Sequence, residues 1–189
     1  MADNTFDPAT AVLTDIKGDY ALDPTHSRLG FSTRHAMVTT VRGAFTDFGG
    51  EAVVDTENPT ASKVTVSIKA ASIDTGVADR DGHLRSPDFF DVETYPEITF
   101  SSTDVTRDGD DWTVTGDLTI KDVTKPISIE FESTGSAKDP FGNTRIGFEG
   151  KAVLNRKEWG LTWNAALETG GFLVSDKIKL EFDISAIAK

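Results

Sequence analysis

The stretch RDGHLRSPDFFD, residues 80 to 91, gathers Arg80, Asp81, His83, Arg85, Asp88 and Asp91. These are the side-chain types from which acid–base and metal sites are built. A histidine beside a carboxylate can accept and return a proton, but covalent hydrolysis also needs a nucleophile. The chain has no G-x-S-x-G elbow and no glycine loop of the Walker or Rossmann kind. Cysteine is absent, which removes thiolate catalysis, disulfides and cysteine-ligated metal centres. The three histidines are His26, His35 and His83. His26 and His35 have opposite parity along one strand, so their spacing lends a metal site little support. The stretch therefore reads as a polar clip. On a helical turn Asp81 would pair with Arg85, while Phe89 and Phe90 would cap an apolar interior. No catalytic residue, metal or cofactor is expected.

A second cationic group stands out against its background. Asp and Glu number 31 against 19 Lys and Arg, giving a net charge of −12. Such a field repels nucleic acid and anionic membranes unless a local patch reverses it. Residues 24 to 46 hold Arg28, Arg34 and Arg42 and no acid. Arginine offers forked donors to phosphate oxygens, which makes Arg42 the head-group candidate; the plain alternative is solvation of an outer wall.

The elements that must position these residues are mostly strands. Alternation of period two places Val64, Val66 and Ile68 on one face, and likewise Trp112, Val114, Leu118 and Ile120. Ile127, Ile129 and Phe131 repeat the pattern, as do Ile146, Phe148, Ala152 and Leu154, and Ile178, Leu180, Phe182 and Ile184. In LGFSTRHAM the dry phase holds Leu29, Phe31, Thr33, His35 and Met37. Turn signals such as TENPT, RDGDD and DPFGN separate the runs. The residues from Asp74 to Pro87 break the alternation and predict a short helix capped by Asp74. Asp7, Pro8 and Gly18 bound another, with Val12, Leu13 and Ile16 as its apolar face. Many strands with one dry face each leave two layouts, a sandwich or a closed barrel.

Four blocks carry a resemblance: LDPTHSRLGFSTRHAMVTTVRGAFTDFGG, RDGHLRSPDFFDVETYPEITFSST, VTGDLTIKDVTKPISIE and LNRKEWGLTWN. They resemble the YceI-like family of polyisoprenoid-binding, lipocalin-like proteins, from about Gly18 to Ala186. The resemblance implies an all-β fold, an extended antiparallel lipocalin-like barrel of about eight strands with one or two short helices. Residues 1–17 would form an N-terminal extension with a helix, and 18–189 the barrel domain. It also implies an elongated apolar pore holding a long isoprenoid chain. Asp122 stands where the family usually has glycine; Asp tolerates a left-handed turn better than most residues. Thr33 and Ala36 replace bulkier residues, a change expected to widen the pore.

The expected function is binding of a long apolar lipid, a polyprenyl phosphate or an isoprenoid quinone, for transport, storage or sequestration. Two alternatives stand beside it, an enzyme acting on such a lipid through His35 or His83, and a ligand-free structural or stress-related module. The pore wall is expected to include Phe31, His35, Met37, Phe45, Phe100, Phe131, Phe148, Leu154 and Trp163. His35 on the dry phase reads as a buried histidine hydrogen-bonded to a neighbour or a backbone carbonyl, or as a residue that contacts a ligand's polar head or lines the pore. Trp159 and Trp163 are expected to rim an opening. The expected partner is the lipid alone, with no nucleic acid and no stable membrane insertion; a monomer and a two-fold dimer both stay open. The first residues lack a basic head and an apolar core, so a cytoplasmic location is expected, or a periplasmic or secreted one for a chain trimmed of its leader.

Overall fold

The computed structural model describes residues 15–189. The helix expected between Asp7 and Gly18 falls almost wholly outside them. The alternating segments build one antiparallel sheet of 11 strands. In chain order they are β1 (Gly18–Leu22), β2 (Arg28–His35), β3 (Thr39–Phe45), β4 (Phe48–Val54), β5 (Lys63–Lys69) and β6 (Ile73–Asp74). The helix α1 (Ala78–Arg85) follows, then β7 (Glu97–Asp108), β8 (Asp111–Ile120), β9 (Val123–Lys138), β10 (Thr144–Asn155) and β11 (Lys177–Ala188).

Closure comes from β1, whose Tyr20 and Leu22 lie opposite Ala188 and Ala186 of β11. The ring then runs β1-β4-β5-β7-β8-β9-β10-β11, eight strands in a closed antiparallel barrel. Closure leaves the ring no free edge. β2 pairs with Lys179–Asp183 of β11, the part that β1 leaves free, and β3 and then β6 follow β2 in the sheet. Every dry residue identified from periodicity in β5, β8, β10 and β11 is buried or half-buried.

Three local features depart from a simple alternation. In β7 the register slips between Ser102 and Asp104, so the inward phase passes from Ile98 and Phe100 to Val105. A bulge of this kind adds one residue and inverts the parity beyond it. The strand expected to run to Met37 ends at His35, because Ala36 and Met37 adopt left-handed φ of 50° and 63° and turn the chain into β3. Between β8 and β9 the left-handed residue is Lys121, φ 57°, rather than Asp122.

The ends of the barrel are tied by polar groups. Near β1, Arg145 donates to Asp23 at 2.6 Å and to Asp139 at 2.9 Å. Hydrogen bonds from Thr25 and Arg145 hold the Asp23 carboxyl far below the usual carboxylate range. For Asp139, burial works to raise the pKa, but donors from Asn143, Arg145 and the Phe141 amide outweigh it and bring it to about 2. At the opposite end Arg156, 3% exposed, organises residues 156–176. Its guanidinium donates to the carbonyls of Leu161 (2.6 Å), Trp163 (2.9 Å) and Ser175 (3.0 Å).

Candidate functional site: an apolar hollow

The inward phases of the ring do not meet across its centre. They enclose a hollow of about 190 Å³, partly open to solvent among the described residues. Its wall includes Val66, Phe100, Ile129, Phe131, Leu180 and Phe182. Glu51 borders it, yet its carboxylate reaches outward to Lys189. Hydrocarbon entering such a space loses water and gains dispersion contacts.

Glycines keep the space open. Gly116 and Gly150 occupy inward positions of β8 and β10, where alternation calls for an apolar side chain. Phe131 lies directly across from Gly150, and a methyl group added at Gly150 would strike its ring. Phe100, diagonal to Gly116 on β7, covers it too: a Cβ there would lie 2.5 Å from the ring's Cζ and equally close to the Ser101 carbonyl oxygen. Phe31 covers Gly43 of β3, its direct partner, at the same distance. The bare backbone lets each ring lie against the neighbouring strand instead of standing into the lumen. Isolated glycine within a strand pattern signals such close approach, and that signal was available in GDLTI and FEGKA.

The stretch 80–91 lies at the end of the barrel and its charges are spent on local structure. Asp81 accepts from the Thr75 amide at 2.9 Å, and Arg80 donates to the Thr75 carbonyl at 2.8 Å. The expected Asp81–Arg85 pair is replaced by bonds from Arg85 to the carbonyls of Ala71 (2.8 Å) and Ile73 (3.1 Å). Ala71 lies just before β6 and Ile73 is its first residue, so Arg85 fastens α1 to the sheet. The helix begins after Val77; Asp74 instead bonds the Gly76 amide. His83 meets Asp88 at 2.9 Å and stands edge-on to Trp163, ring centres 4.6 Å apart. Phe89 is buried and tilts against Trp163 at 5.4 Å, closing this end with aromatic rings. Among the described residues no group of three or more His, Asp or Glu side chains could hold a metal ion.

The residues expected to line the pore divide by position. Phe100, Phe131 and Phe148 line the hollow. Phe31 and Phe45 pack together with ring centres 5.8 Å apart, beyond the lining, and Phe45 continues to Phe90. Leu154 is buried in the wall next to the end cap, and Trp163 belongs to the cap itself. Trp159 is fully packed and donates to the Leu118 carbonyl at 2.9 Å, so it rims no opening. His35, at the exposed end of β2, and Met37, in the turn that begins at Ala36, lie outside the hollow. Arg42 is exposed opposite Ser32 and borders no part of the hollow. Thr33 bonds the Lys177 carbonyl and Ala36 lies in the turn, so neither widens the space. Trp112 was read as dry core; it also lines the hollow, with Arg107 stacked 5.0 Å over its ring.

Residues 20–186 match the model of the YceI-like domain. The chain belongs to the YceI-like family. A UPF0312 protein of Photorhabdus laumondii is 45% identical over 134 residues, covering 71% of this chain and 70% of that protein. Protein YceI of Escherichia coli is 41% identical over 156 residues, 82% of this chain and 81% of its own. Among solved structures, the Campylobacter jejuni YceI protein superposes with a TM-score of 0.71 at 31% identity, over 82% of this chain and 90% of that one. Burkholderia cenocepacia BcnA (TM-score 0.76, 22% identity, 87% and 98% covered) shares the fold. So does a polyisoprenoid binding domain from Saccharophagus degradans (TM-score 0.68, 19% identity, 90% and 98% covered). The YceI-like barrel accounts for the ring of strands, and the glycine–phenylalanine pairs account for the hollow inside it.

Proposed function

We propose that this YceI-like barrel binds a long apolar chain, an isoprenoid, in its hollow and serves to carry, store or sequester it. The observation that carries this reading is the apolar lumen held open by Gly116 and Gly150 beneath the rings of Phe100 and Phe131. The polyisoprenoid binding named for the Saccharophagus neighbour agrees with it. Each buried methylene contributes about 0.8 kcal/mol, so the chain rather than the head supplies most of the affinity, and ordering costs offset part of it. Chain length is then read by the depth of the hollow, and head-group chemistry weakly. A lining dominated by aliphatic and aromatic side chains suits the binding of a hydrocarbon chain.

Organic extraction of the purified protein, followed by mass spectrometry, tests the reading. A stoichiometric prenyl lipid supports it. An empty extract together with failed loading by prenyl alcohols in detergent overturns it.

A further inference from the structure

Beyond the lumen, the molecule carries an apolar tip. Met37 is 66% exposed, Val38 74% and Phe172 59%. The first two are in the β2–β3 turn and the third is in the connection between β10 and β11, far apart in sequence. The Ala36 amide donates to the Leu173 carbonyl at 2.7 Å, and the Ser175 amide to the Arg34 carbonyl at 3.1 Å. These bonds lock the two loops side by side, with Met37 against Gly171. Single exposed apolar residues are ordinary, but three at one fastened tip call for a partner.

The surrounding charge selects that partner. Arg34 and Arg42 stand on β2 and β3, in the acid-free segment 24–46. Thr33 bonds the Lys177 carbonyl, which brings Lys177 to the same end. The opposing carboxylates are Glu168 and Asp176, and Asp176 is already paired with Lys157 at 3.3 Å and near Arg156 at 3.7 Å. The tip is thus locally cationic on a strongly anionic protein. At physiological salt, charges more than about 8 Å away are largely screened, so a surface touching the tip senses first Arg34, whose guanidinium reaches the Val38 carbonyl at 3.4 Å.

We propose that this tip, formed by Met37, Val38 and Phe172 with Arg34 and Arg42 behind it, docks on the surface of an anionic bilayer. Three side chains are too few for a stable protein interface, which buries about 1,200 Å² or more. They suit shallow interfacial insertion, in which apolar residues enter the headgroup boundary and basic ones remain at the phosphates. The proposal rests partly on the lipid-binding reading, since a carrier of an insoluble chain must collect or deliver it at a membrane.

The test is flotation with vesicles of phosphatidylcholine and phosphatidylglycerol in equal parts, and with phosphatidylcholine alone. The proteins compared are the parent, Met37→Asn/Phe172→Ser, and Arg34→Ser/Arg42→Ser. Asn suits the left-handed conformation at 37, and all four positions are outside the hollow, so folding and loading with a prenyl alcohol in detergent should match the parent. The parent should float with the anionic vesicles and lose binding as salt rises, and each variant should bind at least about tenfold more weakly. Equal flotation of parent and variants overturns the proposal. So does concentration-dependent dimerisation of the parent that the apolar variant abolishes, which would make the tip a contact between copies. Failed loading of all three proteins would count against the lipid-binding reading and leave the vesicle result to decide this one.

Discussion

Replacing Gly150 by valine should shorten the chain that the barrel accepts. Gly150 has no left-handed φ, so its backbone can take a β-branched residue. The three atoms nearest to a Cβ added there all belong to the Phe131 ring. The ring must then leave the strand surface, and the hollow is the free space beside it. A cavity of about 150 Å³ admits one benzene, so a benzene-sized ring would fill most of a hollow of about 190 Å³. Room for one or two five-carbon units would disappear. At about 0.8 kcal/mol per methylene, less ordering costs, the net loss is about 2–3 kcal/mol, or roughly 30- to 150-fold in Kd. Displacement of a fluorescent lipid by prenyl alcohols of increasing length measures this. The longest alcohols should lose the most affinity, and Gly150→Val/Phe131→Leu should recover much of it. Parental affinity across the whole length series in Gly150→Val would refute the idea that the glycine–phenylalanine pair sets the bore.

Other substitutions probe the frame around the lumen. Arg156→Met should destabilise the fold by about 3–5 kcal/mol in urea unfolding, because a buried cation and the carbonyls it serves lose one another. A loss under 1 kcal/mol would show that the 156–176 segment does not depend on it. The Asp23–Arg145–Asp139 clamp should give acid sensitivity of defined sign. Both carboxyl pKa values are lowered by folding, so its stabilisation is complete above the unfolded value near 4 and is lost as pH falls through the folded values, about 2 for Asp139 and lower for Asp23. Arg145→Met should therefore lower Tm at pH 7, with the gap to the parent narrowing steadily below about pH 4 and still partly open at pH 2, where Asp23 remains ionised. A gap independent of pH would contradict this. Arg42→Ala, outside the hollow, should leave prenyl-alcohol affinity in detergent within about twofold of the parent, as for ordinary surface changes. A larger loss would return Arg42 to the binding site.

The barrel walls were legible in the sequence because burial on one face writes a period of two. Ile178, Leu180, Phe182 and Ile184 show it without interruption along β11. The pattern fails where the chain inserts a residue. In β7 the bulge near Thr103 inverts the phase, so alternation through ITFSSTDV could not reveal that Val105 and Phe100 share a face. It fails again at Ala36 and Met37, whose types do not announce left-handed geometry, so alternation carries the dry phase on to Met37; His35 keeps that phase but sits at the exposed end of β2. The hollow itself was legible only through resemblance. Periodicity identifies which residues face inward, not whether they fill the space. The decisive residues are glycines, which a search for apolar side chains passes over. The charged stretch 80–91 showed its clip character through the missing nucleophile, but its partners are backbone carbonyls of Ala71, Ile73 and Thr75, which residue types do not specify.

Isotope-filtered NOE measurements on the protein loaded with a ¹³C-labelled prenyl alcohol test the central claim most directly. The account predicts contacts from the chain to Val66, Phe100, Ile129, Phe131 and Phe182 at one equivalent of ligand. A chain in contact only with exposed residues away from the hollow, such as Phe141 and Val153, or one that never saturates, would contradict it.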